Sequence, residues 1–175
     1  GVFGEVIRAQ GAYIHNLAPF WKHYWKKGED DKLGWRLDYN MRHRGDVYAT
    51  HGLGPVAQAL NIHRGDRMKT LVAMDTKSIV GKSLVEQRTD SVCNNFRNGD
   101  HTTTLIRTEN GKVIEIQHNV MTPQPYNRLY QLTGTKGFAN KYPVEGYTFR
   151  SPEQVEGVPD HENLSMHSFV PADVK

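Results

Sequence analysis

Tyr48, Thr50 and His51 place a phenol, a hydroxyl and an imidazole within four residues, and Gly52-Leu53-Gly54-Pro55 follows directly. Tyr13, His15 and Gly34-Trp35-Arg36 stand upstream; Gln117-His118-Asn119 and Pro123-Gln124-Pro125-Tyr126-Asn127-Arg128 stand downstream. These side chains give directional hydrogen bonds, and aromatic rings offer flat faces to C–H surfaces. The mixture suits a polyhydroxylated ligand. Tyr and His also serve as proton-transfer groups. Trp21, Tyr24 and Trp25 suit either cover over a sugar or partner, or interior packing.

Other chemistries fit less well. His15, His51 and His118 lack the His-x-x-x-His and Glu-x-x-His spacings of zinc sites, so they read as hydrogen-bonding histidines and no metal is expected. Gly52–Pro55 lacks the full Gly-x-Gly-x-x-Gly pattern and reads as a helix start rather than a phosphate cradle. No Gly-x-Ser-x-Gly motif is present, and no Cys–His nucleophile pair is implied. No acidic pair stands out as the two-carboxylate engine of an ordinary glycosidase. Cys93 is the only cysteine, which excludes an internal disulfide and a cysteine-based zinc site.

The elements that must position these residues follow from periodicity. Glu5–Tyr13, Met68–Met74, His101–Thr108, Lys112–Val120 and Arg128–Gly134 read as strands. Glu109-Asn110-Gly111 lies between alternating β-formers, and Asn-Gly is the strongest short hairpin signal. Gly52–Ile62 has helical spacing with Pro55 in its first turn, and Thr76–Arg88 reads as a short helix. Asn16–Asp31 reads as an irregular excursion with a helical turn. The expected fold class is α+β: an open, mostly antiparallel β-sheet with helices on one face.

At 175 residues and 37% apolar content, one domain is expected. Residues 1–142 read as the α+β domain, and 143–175, rich in proline and without a sustained period, as an irregular extension of it. The 22 basic residues against 19 acidic ones are scattered, so no nucleic-acid arm is expected. No run of 18 apolar residues occurs, so no membrane-crossing helix is expected. The chain opens on Gly1 and enters a strand pattern at once, so it reads as a piece of something longer, and periplasm and cytoplasm both stay open as its compartment.

Taken together, Gly4–His15, Trp35-Arg36-Leu37, Tyr48–Pro55, Leu60–Asp66, Ile116-Gln117-His118, Pro123–Arg128 and Gly134–Gly137 resemble glycoside hydrolase family 109. That family is the NAD-dependent α-N-acetylgalactosaminidase group of the Gfo/Idh/MocA oxidoreductase superfamily. Ala49 stands where the family usually has proline, and the stretch between His15 and Trp35 is longer than usual. The resemblance covers Gly1 to Tyr142 and implies the substrate-side domain of a longer enzyme, without its dinucleotide-binding domain. It implies carbohydrate-binding positions at Tyr13, Arg36, Tyr48, Ala49, Thr50, His51 and Tyr126, with Tyr48 also touching NAD. His51, Tyr48 and Tyr13 are the implied catalytic residues. The implied chemistry is oxidation at C3 of the sugar, elimination of the anomeric group, addition of water and return of the hydride. Superfamily sheets of this type often pair face to face, so a homo-oligomer through the sheet face stays open, and the sequence itself is silent on oligomeric state. A sugar or polyol dehydrogenase, and a non-catalytic carbohydrate-binding or dimerisation module, are the competing readings.

Overall fold

The computed structural model describes residues 1–20, 34–88, 96–142 and 146–149. Among these, seven strands form one sheet: β1 (Val6–Ile14), β2 (Met68–Asp75), β3 (Thr102–Thr108), β4 (Val113–Asn119), β5 (Gln131–Gly134), β6 (Gly137–Asn140) and β7 (Gly146–Phe149). The spatial order is β2-β3-β4-β1-β5-β6-β7. β1 pairs parallel with β4, and every other neighbouring pair is antiparallel. Three α-helices are described: α1 (Trp35–Arg42), α2 (Thr50–Ala59) and α3 (Val80–Arg88). The fold is α+β with an open, mostly antiparallel sheet, as the sequence predicts.

The β3–β4 hairpin turns at Asn110-Gly111, with Gly111 at φ +82°, a conformation glycine adopts without steric cost. Buried Asp66 reinforces the turn by accepting the N–H groups of Arg67 (2.8 Å) and Asn110 (3.2 Å).

Register across the sheet sorts its helix-covered face into rows. Leu132, Ala9, Ile114 and Ile106 stand side by side on β5, β1, β4 and β3, under Val56, Leu60 and Ile62. The next row is Gly11, Ile116 and Thr104. The third is Tyr13, His118 and Thr102. Polarity therefore rises toward the carboxyl end of the parallel pair, where open α/β sheets characteristically bind ligands. Around Tyr13 a second apolar cluster gathers Leu37, Val85, Phe96, Val120 and Met121.

Gly11 lets α2 approach β1 closely. A Cβ at Gly11 would lie 2.1 Å from the Gly52 carbonyl oxygen, and one at Gly52 only 3.1 Å from the Ala12 nitrogen.

Several boundaries differ from the sequence-based expectation. α2 starts at Thr50, ahead of the expected glycines, so Pro55 sits inside the helix. Proline has no N–H to give the carbonyl four residues earlier. That carbonyl belongs to His51, and the Tyr130 hydroxyl donates to it at 2.7 Å. β5 starts at Gln131 rather than Arg128 because Leu129 takes a left-handed φ of +55°. The preceding segment still follows β1 antiparallel, through Ala12 N–H to Arg128 C=O (2.7 Å) and a reciprocal Ile14–Asn127 pair. α1 was not expected. Its buried face carries Arg36 and Asn40 beside Leu37, so apolar periodicity is nearly absent. The Asn98 amide donates to Asn40 Oδ1 (2.8 Å) and anchors the helix. Of the excursion from Asn16, Ala18–Phe20 forms a 3-10 turn and residues 21–33 lie outside the described part. Beyond Pro143, residues 146–149 form an edge strand, and residues 150–175 lie outside the described part. No described helix is long and apolar enough to cross a membrane.

Two stability outcomes follow. Gly11→Ala drives a methyl into the Gly52 backbone and should cost about 1–3 kcal/mol or more, read by chemical denaturation; an unchanged midpoint would refute the close approach. Asp100 accepts the N–H groups of Ile79 (2.9 Å), Val80 (2.8 Å) and Gly81 (2.9 Å), capping α3 from twenty residues away in sequence. Asp100→Ala should cost about 1–2 kcal/mol by the same measurement, with Asp100→Asn milder, since an amide oxygen still accepts.

Candidate functional site

Three elements bring the sequence-predicted residues together. β1 supplies Tyr13, the turn into α2 supplies Tyr48, the first turn of α2 supplies His51, and α1 supplies Arg36. The ring centroids of Tyr13 and Tyr48 are 5.2 Å apart, those of Tyr13 and His51 4.8 Å, and those of Tyr48 and His51 4.8 Å. The Arg36 guanidinium lies over the Tyr48 ring at 5.0 Å and over Trp35 at 4.6 Å. Trp35 itself is exposed and stands 5.9 Å from Tyr48. Tyr126 joins from the segment that follows β1, its ring edge-on to His15 at 5.3 Å.

The local backbone explains the assembly. Asp46 Oδ1 accepts the Tyr48 N–H at 3.0 Å and shapes the turn that leads into α2. Burial pushes the Asp46 carboxyl up to about 6, against the opposing pull of that hydrogen bond. Ala49 and Thr50 carry the chain from Tyr48 to His51, with the Thr50 side chain exposed. The Gly11–Gly52 contact then presses His51 against Tyr13, two residues beyond Gly11 on the same face of β1.

Two further residues belong to this cluster. Arg128 lies over Tyr13 at 4.7 Å and over Tyr126 at 5.1 Å, and its Nε donates to the Tyr126 hydroxyl at 2.6 Å. Its Nη1 is buried with no hydrogen-bond partner among the described residues. The sequence signal for Arg128 was its place two residues after Tyr126 in an extended segment, which puts both side chains on one side. His118 lies beneath Tyr13, with ring centroids 6.1 Å apart and only 2% exposure. The sequence names it, and the β1–β4 register places it beside Tyr13. Trp21, Tyr24 and Trp25 lie outside the described residues.

The cluster is cationic with neutral imidazoles. Burial, then the Arg128 and Arg36 guanidiniums, hold His51 below its ordinary value of 6.5. Burial, then Arg36 and His101, push His118 down to about 4. Both are therefore neutral near pH 7, and a neutral imidazole both accepts and donates a proton. Among the described residues no group of three His, Cys, Asp or Glu is placed to hold a metal ion.

Residues 1–157 match the family model described as glycosyl hydrolase 109, C-terminal domain. Glycosyl hydrolase family 109 protein 4 of Phocaeicola vulgatus is 78% identical over 173 residues, covering 98% of this chain and 34% of that protein. The chain thus spans about a third of the length of the curated relatives it matches. Levoglucosan dehydrogenase, solved with NADH and levoglucosan, has 17% identity and a TM-score of 0.51, covering 80% of this chain and 33% of that one. An inositol dehydrogenase homologue from Azotobacter vinelandii, solved with NAD+, has 20% identity and a TM-score of 0.50, covering 79% and 31%. At such identities these structures speak for the fold alone. The chain belongs to glycosyl hydrolase family 109 and matches the C-terminal domain of that family.

Proposed function

We propose that this chain is the substrate-side domain of an NAD-dependent glycosidase that releases terminal α-N-acetylgalactosamine. The observation that carries the reading is the convergence of Tyr13, Tyr48 and His51, from separate elements, to ring separations of 4.8–5.2 Å. Family membership supports the glycosidase class. The shared fold with NAD-bound dehydrogenases supports the cofactor.

The residues present fit one end of that cofactor. Trp35 is 57% exposed and, with Tyr48, offers flat faces against which a nicotinamide ring can lie. The dinucleotide's phosphates are assigned to a dinucleotide-binding domain outside this chain. What NAD supplies when bound is the reversible removal of hydride from C3 of the sugar. With C3 a ketone, the C2 proton is acidic; its loss expels the anomeric group, and water then adds. Neutral His51 binds a sugar hydroxyl and accepts its proton on a ring nitrogen. Tyr48 would hold the nicotinamide end of the cofactor next to the sugar. Tyr13 and Tyr126 present hydroxyls as ligands or alternative bases. Arg36 holds the sugar from the α1 side, and Ala49 and Thr50 line it through their backbone. Such a mechanism works without the paired carboxylates of ordinary glycosidases.

A plain sugar dehydrogenase remains the second reading because the solved neighbours are dehydrogenases. Residues 1–142 would form the substrate-binding domain and 143–175 its extension. The sheet face opposite the helices, with Arg8, Gln10 and Gln117 all on Glu115, is proposed to pair with a second copy.

The full-length enzyme given an aryl α-N-acetylgalactosaminide and NAD+ should release the aryl group with no net NADH. Net NADH without aryl release would establish the dehydrogenase reading instead. The 175-residue chain alone should show no turnover with or without NAD+. In the full-length enzyme, His51→Ala should lower turnover by roughly a hundredfold or more while the thermal midpoint holds. A stable, fully active His51→Ala enzyme removes His51 from the site, and an unfolded one makes it a structural residue. Because His51 sits below its ordinary value, the acidic limb of the pH–rate profile should fall below pH 6.5.

A further inference from the structure

Beyond the cluster around Tyr13, a line of aromatic rings continues away from it. Tyr126 is 47% exposed and meets Tyr142 at 5.9 Å with an interplanar angle of 72°. Tyr142 meets Tyr130 at 5.9 Å and 73°. Tyr130 stands at the head of a groove of about 270 Å³ between α2 and the β5–β6 edge. Val56 and Ala59 form its helix wall, and Leu132 and Ala139 its sheet wall. Each tyrosine abuts its neighbour edge to face, and the Tyr130 hydroxyl is committed to the His51 carbonyl at 2.7 Å. Arg128 lies over Tyr126 and the Lys141 ammonium lies 5.8 Å from Tyr142, so hydrogen-bond donors accompany the rings.

We propose that this track and groove bind the part of the substrate beyond the cleaved bond, namely the next sugar units of an oligosaccharide. The inference rests on the functional reading above and adds where the leaving group is held. Three features favour a saccharide over a peptide or lipid. The track is continuous with the sugar site through Tyr126. It sets aromatic rings beside the cationic donors Arg128 and Lys141, a pairing that suits the C–H faces and hydroxyls of a pyranose chain. The groove lies between a helix wall and a sheet wall and holds about 270 Å³, too little for an acyl chain or an amphipathic helix.

The test uses the full-length enzyme with two substrates that end in the same α-linked sugar. One is an aryl glycoside and the other a trisaccharide. Tyr142→Ala removes the middle ring, and Ala59→Trp fills the groove from an exposed helix position away from the Tyr13 cluster. Each should lower kcat/KM for the trisaccharide about three- to tenfold, through KM, while the aryl glycoside changes by less than about twofold. Thermal midpoints should match the unmodified enzyme. Equal losses on both substrates, or an unmoved ratio, overturn the inference. A lowered midpoint for Ala59→Trp with an unmoved ratio also overturns it, and identifies another part of the enzyme as the groove's cover. If the unmodified enzyme cleaves neither glycoside, the functional reading falls and takes the inference with it. If it cleaves both and the ratio stays constant, only the inference falls.

Discussion

The placement of α2 on β1 rests on two residues that have no side chains. Helices and sheets normally meet through interdigitated side chains, which hold their axes well apart. Here the Gly52 carbonyl lies where the Gly11 Cβ would be. That contact sets the depth of α2, and depth decides what reaches Tyr13. His51 precedes Gly52, and Tyr13 follows Gly11 by one pleat, so the backbone approach becomes a ring separation of 4.8 Å. A larger residue at either glycine would lift the start of the helix and open the cluster. Pro55 contributes to the same end. By withholding a donor from the His51 carbonyl it leaves an acceptor for Tyr130, and α2 is tied to the strand segment that also brings Tyr126 and Arg128.

Electrostatics and packing meet along the strands. The rows run from Leu132–Ala9–Ile114–Ile106, wholly apolar, to Tyr13–His118–Thr102, polar yet still buried. Burial of this kind disfavours charge on imidazole, and two guanidiniums near His51 push the same way. The arrangement sets the Arg36 and Arg128 guanidiniums around His51 and keeps the imidazole nitrogen neutral between them. Guanidiniums so placed favour negative charge on an oxygen lying beside them.

How much of this the sequence displays depends on the range of each interaction. The β3–β4 hairpin was legible because Asn110-Gly111 and its flanking alternation are local. The strands β1 and β2 were legible for the same reason. α1 was not, because Arg36 and Asn40 occupy its buried face and only Asn98, 58 residues on, explains why an asparagine is acceptable there. The start of α2 was misplaced because glycine and proline usually mark a helix's edge, whereas here both serve contacts that lie outside the helix. Tyr13, Tyr48, His51, Arg36 and Tyr126 were named from a resemblance, and the structure brings them to one place. His118 and Arg128 were named only as parts of longer motifs, and their contacts with Tyr13 needed the register of β4 and the path of the segment along β1.

β1 lies near the middle of the sheet, between β4 and β5, and its partners are remote in sequence: Arg8 pairs with Val113, 105 residues later, and Ala9 with Leu132. A ribosome adding about 5–20 residues per second takes roughly 5–20 s to pass from one member of the Arg8–Val113 pair to the other. Throughout that interval β1 has neither of its two sheet neighbours, and its edges are open to pairing with other nascent chains. Parallel pairings between distant segments are also slow to form once both are present. The cost of a cleft built at the end of a central strand is therefore kinetic, and it falls on synthesis of the chain rather than on the finished protein.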